Sequence, residues 1–345
     1  MAVVKQLRVI NFRSHKDISI KLSPEVTVIT GKNGSGKTSL LEAIYIAIQG
    51  TSFKGVDREI LQTNSPWWRI ELALDDDSKR VITFDPDKID RKKSFTIDSK
   101  ISYRIPQRLK IPVVLFEPDD LRLINGSPSR RRSFIDKLIA QINPSYTTTL
   151  RKYERALIQR NNLLKRNPSN DDLFVWDIAL SEYGAEIIKQ RINMCKNIDN
   201  KLSDVYKSIA NKSDNISIRY SAVQSDSLSQ KLLKELNMSA EHDKYIGNTS
   251  VGPHRHDVIF SFNNTLASAT ASRGETRTIV VALKLIEASI IYETYGVNPI
   301  IMLDDVFSEL DEERQGSITS KTNQCQVIIT DTKSPNDNIT TVTLK

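Results

Sequence analysis

Cysteine is the scarcest residue of this 345-residue chain, which holds only Cys195 and Cys325. Far apart and in different surroundings, they support neither a disulfide framework nor a cysteine-based metal site. Long apolar runs are missing too. The most apolar stretch, Ile279 to Tyr292, is interrupted by Lys284 and Glu287, so no membrane span is expected. The opening M-A-V-V-K-Q-L-R-V-I carries Lys5 and Arg8 within its apolar part, which speaks against a signal peptide. No internal repeat and no low-complexity tract is present. A cytoplasmic globular protein is the expectation, and 39% hydrophobic residues suffice for a real core in two domains, or in one domain with an insertion.

The net charge is +7, and its distribution says more than its size. Between Arg122 and Arg166 eleven Lys and Arg face two acidic residues, Asp136 and Glu154, so this segment alone carries +9 and the remainder −2. Such concentration points to a polyanion, with nucleic acid the leading candidate; a solvated helix face accounts for the charge equally well. Arg130, Arg131, Arg132, Arg151, Lys152 and Arg155, followed by Arg160, Lys165 and Arg166, are the candidate DNA-binding residues. Part of the arginine triplet has a second possible role in packing, since it begins a helix whose other face, Phe134, Ile135, Leu138 and Ile139, must be buried.

Strand-like segments dominate the start of the chain: Val3 to Ile10, Ile18 to Leu22, Val26 to Thr30, Trp68 to Leu74, Arg80 to Phe84 and Val113 to Phe116. Asp75-Asp76-Asp77-Ser78 reads as the turn of a hairpin. From about Asp119 the period lengthens, and Arg132 to Ile142, Thr149 to Lys165 and Leu173 to Ala210 carry apolar residues at helical spacing. Strands return at Val258 to Phe262, Pro299 to Leu303 and Gln326 to Thr330, with a helix from about Glu275 to Glu293. The pattern predicts one α/β domain built from residues 1–117 and 251–345, interrupted by a mainly helical insertion, 118–250.

Val26 to Thr30 runs straight into G-K-N-G-S-G-K-T, Gly31 to Thr38, and then into an apolar helix from Lys37 to about Gln49. This is a P-loop in its required strand-loop-helix context. Gly31, Gly34 and Gly36 let backbone N–H groups curl round phosphates; Lys37 reaches the β- and γ-phosphates; Thr38 offers a hydroxyl to Mg²⁺. Gly31, Lys32, Asn33, Gly34, Ser35, Gly36, Lys37 and Thr38 therefore form the candidate ATP-binding set, reinforced by the helix N-terminus. Far downstream, Ile300-Ile301-Met302-Leu303-Asp304-Asp305 is an apolar strand ending in paired carboxylates, the form of a Walker B element. Asp304 is the expected Mg²⁺ ligand, and Asp305 the residue that orients the attacking water. Together, Lys37, Asp304 and Asp305 are the candidate catalytic residues, and Thr38 and Asp304 the metal ligands.

Ala271-Ser272-Arg273-Gly274-Glu275 resembles the signature loop of ABC-type ATPases, usually L-S-G-G-Q, and Ser308-Glu309-Leu310-Asp311 stands in the place of their D-loop. The resemblance implies that Ser272, Arg273, Gly274 and Glu275 close over the γ-phosphate held by a second subunit. More detailed motifs, Asn11-Phe12-Arg13-Ser14-His15, the run from Phe116 to Asp136, V-G-P-H-R-H-D from Val251 to Asp257 and L-D-D-V-F-S-E-L-D from Leu303 to Asp311, closely resemble the RecF family of bacterial recombination mediators. This implies an ABC-type, SMC-like P-loop ATPase head without a long coiled coil, which dimerises with ATP and binds double-stranded DNA and single-strand junctions. It implies further that the protein hydrolyses ATP slowly and helps load RecA at gaps with RecO and RecR, and that Arg13 and Ser14 reach the nucleotide.

The sequence departs from the pattern at Arg273 (usually Gly), at Glu275 (usually Gln) and at Asp305 (usually Glu). No histidine follows Thr330, leaving Thr330 or Asp331 in the switch-loop place. His256 interrupts the usual G-P-H-R-D-D, and with His254 it makes too small a set for a metal site. The alternative reading, the cytosolic ATPase of an ABC transporter, explains the P-loop and signature but not the basic helical segment. A structural SMC-like clamp requires heptad arms for which the chain has no room.

Overall fold

The computed structural model describes residues 2–166, 168–222, 224–306, 310–332 and 339–344. The chain divides into two compact units, 1–121 with 287–345, and 122–286. In the first unit β1 (Val4–Phe12), β2 (His15–Lys21), β4 (Trp68–Leu74), β5 (Lys79–Phe84), β6 (Lys93–Ile97) and β7 (Lys100–Ser102) form an antiparallel sheet in the order β2-β1-β4-β5-β6-β7. The inward residues of β4 and β5 alternate with more exposed ones, as a sheet with one buried face requires.

The strand β3 (Val26–Thr30) belongs to a second sheet, all parallel, with β8 (Val113–Phe116), β12 (Ile300–Asp304), β13 (Val327–Asp331) and β14 (Thr340–Thr343), in the order β14-β3-β13-β12-β8. The helix α1 (Lys37–Gln49) packs against β12 and β13 on one side and β1, β4 and β5 on the other. Enclosure between two sheets explains why α1 is apolar nearly all round. Gly50, with φ 90°, ends it in the left-handed conformation that a side chain would resist. Gln326 joins distant parts of the chain: its amide accepts from Val4 N–H at 2.8 Å and donates to the carbonyls of Val4 and Ser23.

The second unit is organised on α4 (Asn170–Ala210), whose 41 residues make a rod about 60 Å long. Ser169 and Asp172 close its N-terminus as a capping box, and Asn211 ends it in the left-handed conformation. Against α4 pack α2 (Pro128–Ile142), α3 (Pro144–Leu164), α5 (Leu228–Ile246) and β9 (Ile216–Tyr220). The strand β9 pairs with β10 (Val258–Phe262), and β10 with β11 (Thr265–Leu266). After α6 (Ala267–Thr270) comes α7 (Arg273–Tyr295), assigned to this unit as far as Ile286. The unit thus extends beyond the expected insertion, 118–250, because β9 and β10 are one sheet. The helix α8 (Glu312–Lys321) belongs to the first unit.

The core of the helical unit is partly ionic. Arg160 is 0% exposed and donates to Asp177 at 2.6 Å, Asp243 at 2.7 Å and Thr249 at 3.0 Å. Arg191 grips Asp136 with two nitrogens and donates to Tyr220 and the Pro253 carbonyl. The motif V-G-P-H-R-H-D is the counterpart of these arginines. Gly252 has φ 127°, and a Cβ there would meet the Tyr153 hydroxyl at 2.5 Å. The Tyr153 hydroxyl donates to His254 Nδ1 at 2.6 Å while His254 Nε2–H donates to the Thr249 carbonyl, so both nitrogens of the neutral ring are used.

Burial pushes His254 down to about 4, against the raising pull of the Thr249 carbonyl. Burial, aided by the Arg191 cation, does the same to His256. The unfolded chain takes up these protons near the ordinary histidine value of 6.5, the folded protein not until about 4. Stability of the helical unit should therefore fall as pH drops through this window. Thermal unfolding followed by circular dichroism at several pH values should show the loss, and His256→Gln should flatten the slope by removing one titrating ring.

Candidate nucleotide site

At the end of β3 the chain turns through a loop whose glycines are sterically required. Gly34 and Gly36 have φ of 84° and 90°. A Cβ at Gly36 would lie 2.3 Å from His15 Nε2 and 2.5 Å from Ser14 Oγ, so the N-F-R-S-H segment presses on the P-loop. His15 donates to the Gly36 carbonyl at 3.0 Å. No side chain caps the N-terminus of α1, and uncapped leading N–H groups of a helix are suited to receive an anion. Lys37 Nζ folds back on the carbonyls of Gly31 and Lys32, at 3.0 and 3.2 Å. The Ser35 hydroxyl is buried with no protein partner. Donors without acceptors around a glycine-lined turn fit phosphate oxygens.

Parallel pairing brings the other half of the site to the same sheet edge. Asp304 on β12 stands in register with Thr330 on β13. Asp304 Oδ1 accepts from the Thr38 hydroxyl at 2.7 Å and from the Thr330 hydroxyl at 3.0 Å, and Thr330 Oγ1 accepts from Asp305 N–H at 2.9 Å. The P-loop and the Walker B strand, 266 residues apart, are thus joined directly. Thr330 is the switch-place residue that touches this carboxylate. Thr38 and Asp304 are hard oxygen donors suited to Mg²⁺, which takes few protein ligands and completes its octahedron with phosphates and water. Among the described residues no group of three or more His, Cys, Asp and Glu is placed to hold a metal ion.

Asp305, at φ 50°, lies just beyond β12. Its carboxyl is held above the ordinary carboxylate range by burial first, and then by Asp304 and Asp331, while Lys37 and Lys54 oppose the shift. A raised pKa marks a group able to take a proton from, or orient, a nucleophilic water.

Several expectations need correction. Arg13 does not point at the P-loop: Nε and Nη2 donate to Glu42 of α1 at 2.6 and 2.9 Å, and Nη1 to the Glu59 carbonyl. Glu42 is fully buried and needs a cation. Arg131 is bound by Asp257 through two nitrogens and donates to the Ile124 and Gly126 carbonyls. Despite burial, Asp257 is drawn below the usual carboxylate range by Arg131. Arg132 donates to the His256 carbonyl, and Arg160 is locked in the core. Arg131 and Arg160 are thus engaged within the helical unit, and Arg132, half-buried, gives one nitrogen to a backbone carbonyl. Arg130 lies partly exposed and bonded, whereas Arg151, Lys152 and Arg155 are exposed on α3, with Lys152 over the Tyr183 ring.

Ser272, Arg273, Gly274 and Glu275 stand at the start of α7. The Ser272 hydroxyl accepts from Glu275 N–H and the Glu275 carboxylate accepts from Ser272 N–H, a reciprocal cap that leaves the hydroxyl proton for an outside acceptor. In the D-loop place, Ser308 and Glu309 lie outside the described residues; Leu310 is buried and Asp311 caps α8. Sequence reading missed Lys54, Ser52, Glu42 and His15 as parts of this site. Only His15 was signalled, by its place in the N-F-R-S-H motif.

An AAA ATPase domain model matches residues 3–250. The DNA replication and repair protein RecF of Alkaliphilus oremlandii is 33% identical over 96% of this chain and 93% of its own length. The chain belongs to the RecF family. Its fold superposes on the ATP complex of the recombination mediator protein RecF in the RecFOR pathway with TM-score 0.86 and 30% identity, covering 98% of this chain and 93% of the other. An Smc head bound to the C-terminal winged-helix domain of ScpA shares the fold at TM-score 0.51 and 14% identity, over 96% and 90% of the two chains. The expected ABC-type, SMC-like α/β head with a helical addition is therefore found, and the transporter alternative falls. No described helix is long and apolar enough to cross a membrane.

Because the folded state holds the Asp305 proton more tightly than the unfolded chain does, ionised Asp305 costs stability at neutral pH, and the cost disappears as pH falls through the raised pKa. Asp305→Asn should raise the melting temperature at neutral pH by about 1–3 °C and slow ATP hydrolysis. Calorimetry with a phosphate-release assay checks both.

Proposed function

We propose that this RecF-family protein is a slow, DNA-dependent ATPase that binds Mg²⁺·ATP at Gly31 to Thr38 and Asp304 and dimerises with ATP. Its ATPase head is built from both ends of the chain. It acts on double-stranded DNA and single-strand junctions at gaps in recombinational repair and replication, and helps RecO and RecR load RecA. The observation that supports the reading is the 2.7 Å bond from Thr38 to Asp304, between the loop proposed to hold phosphate and the carboxylate proposed to hold the metal. The relatives are DNA replication and repair proteins, and the solved ATP complex belongs to the RecFOR pathway.

The dimer follows from the signature. A helix N-terminus with a serine hydroxyl proton to give is a γ-phosphate receptor, and in ABC-type ATPases the partner's nucleotide fills it. Ser272→Arg should leave ATP binding by the monomer intact and abolish ATP-dependent dimerisation, measured by light scattering with ATP. A variant that dimerises like the wild type would sink the arrangement.

For DNA, the exposed Arg151, Lys152 and Arg155 make the electrostatic surface. Arg151→Glu with Arg155→Glu should weaken binding irrespective of sequence, and the slope of log affinity against log salt should flatten by about two phosphate contacts. A salt titration of DNA affinity decides it; unchanged slopes would place the DNA surface elsewhere.

A further inference from the structure

A lysine stands where the metal is needed. Lys54 Nζ lies 3.3 Å from Asp304 Oδ2, with Asp304 only 2% exposed and Lys54 41% exposed. The other carboxylate oxygen is taken by the hydroxyls of Thr38 and Thr330, so the face of Asp304 open to a cation is the one Lys54 covers. We propose that Lys54 is the resident counter-charge of Asp304 in the nucleotide-free protein, and that Mg²⁺ enters by displacing it. The proposal rests on the reading of Thr38 and Asp304 as the Mg²⁺ ligands.

The surrounding structure holds the backbone of Lys54 and leaves its ammonium able to leave. The Ser52 hydroxyl oxygen accepts from Lys54 N–H at 2.8 Å and Gly55 N–H at 2.9 Å, forming a tight turn around the lysine. The same hydroxyl donates to Glu42 of α1, and Arg13 completes the chain by gripping Glu42. The loop that carries Lys54 is thereby tied to the helix that carries Thr38. The long, half-exposed side chain can swing away without moving either.

The exchange has an electrostatic reason. A buried carboxylate stripped of its cation is strongly unfavourable, and Asp305 and Asp331 crowd the same sheet edge. Lys54 relieves this charge while the site is empty. A divalent cation on Asp304 would repel the ammonium that sits 3.3 Å from the same carboxylate, so metal and lysine exclude each other. The apparent metal affinity is then lowered by the work of displacing the lysine, which suppresses metal binding before the nucleotide supplies phosphate oxygens.

The test uses the full-length protein without nucleotide and Mn²⁺ as the probe, its free concentration followed by electron paramagnetic resonance. Lys54→Met should bind Mn²⁺ about ten-fold more tightly than the wild type, the change produced by removing a competitor worth about 1.4 kcal/mol. Lys54→Arg should keep wild-type behaviour, and Lys54→Met with Asp304→Asn should lose the gain. Without metal, Lys54→Met should melt below the wild type, and Mg²⁺ should restore it. Identical Mn²⁺ curves for wild type and Lys54→Met, with both proteins binding Mn²⁺ once ATP is added, would overturn the exchange alone. Absence of Mn²⁺ binding with ATP in both would overturn the metal site itself.

Discussion

The carboxylate of Asp304 is the constraint around which the first unit is arranged. It is a buried charge at the end of a parallel strand, and such a charge is tolerated only when hydrogen bonds and a cation surround it. Thr38 and Thr330 supply the hydrogen bonds and Lys54 the cation. Each reaches Asp304 for a topological reason. Because β3, β13 and β12 are parallel neighbours, their carboxyl ends share one edge, and whatever follows them converges there. The turn after β3 supplies the P-loop, β13 brings Thr330 and Asp331, and β12 ends in Asp304 itself.

Enclosure of α1 between two sheets extends the constraint outward. Glu42 sits on this helix, fully buried, and draws Arg13 from the antiparallel sheet side and Ser52 from the following loop. A residue pair that reads as a loop arginine and a helix glutamate thus becomes a support beneath the nucleotide site. His15 against the Gly36 carbonyl does the same for the P-loop turn. The antiparallel sheet therefore serves the site indirectly, by fixing the back of the glycine-rich loop.

The helical unit solves a different problem with similar means. Its long central helix α4 carries Asp177 and Arg191 on its inner face, and α2 and α3 contribute Asp136 and Arg160, so ion pairs take places where a bundle usually puts leucines. Pairs of this kind add little net stability over apolar packing but are costly to break singly, which favours one arrangement of the helices over its alternatives. The motif V-G-P-H-R-H-D is the shared acceptor of that network: its carbonyls and Asp257 receive Arg191, Arg132 and Arg131. Consequently the charge counted between Arg122 and Arg166 overstates the field at the surface. What remains exposed is Arg151, Lys152 and Arg155 on α3, with Arg122, Lys137, Lys165 and Arg166 outside that helix.

Local spacing in the sequence was enough to locate β3, α1, β4, β8 and β10, the P-loop and the Walker B carboxylates, because each depends on neighbours within a few residues: apolar alternation, glycines at a turn, a strand followed by a helix. It did not disclose β14, whose T-T-V-T is mostly exposed and becomes a strand only by pairing with β3, nor α5 and β9, which are defined by packing on α4. It also sorted the charged residues poorly. Arg13, Arg131, Arg132 and Arg160 carry no local mark that separates an arginine for phosphate from one for a buried carboxylate. The distinction lies in desolvation, which depends on what the fold places around a side chain. A glycine-rich loop between strand and helix and a strand ending in paired carboxylates are written in short stretches of residues and need no fold to be read. That Lys54, 250 residues before Asp304, faces it follows from the fold alone, because partners of a buried charge are chosen by proximity in space and by exclusion of water.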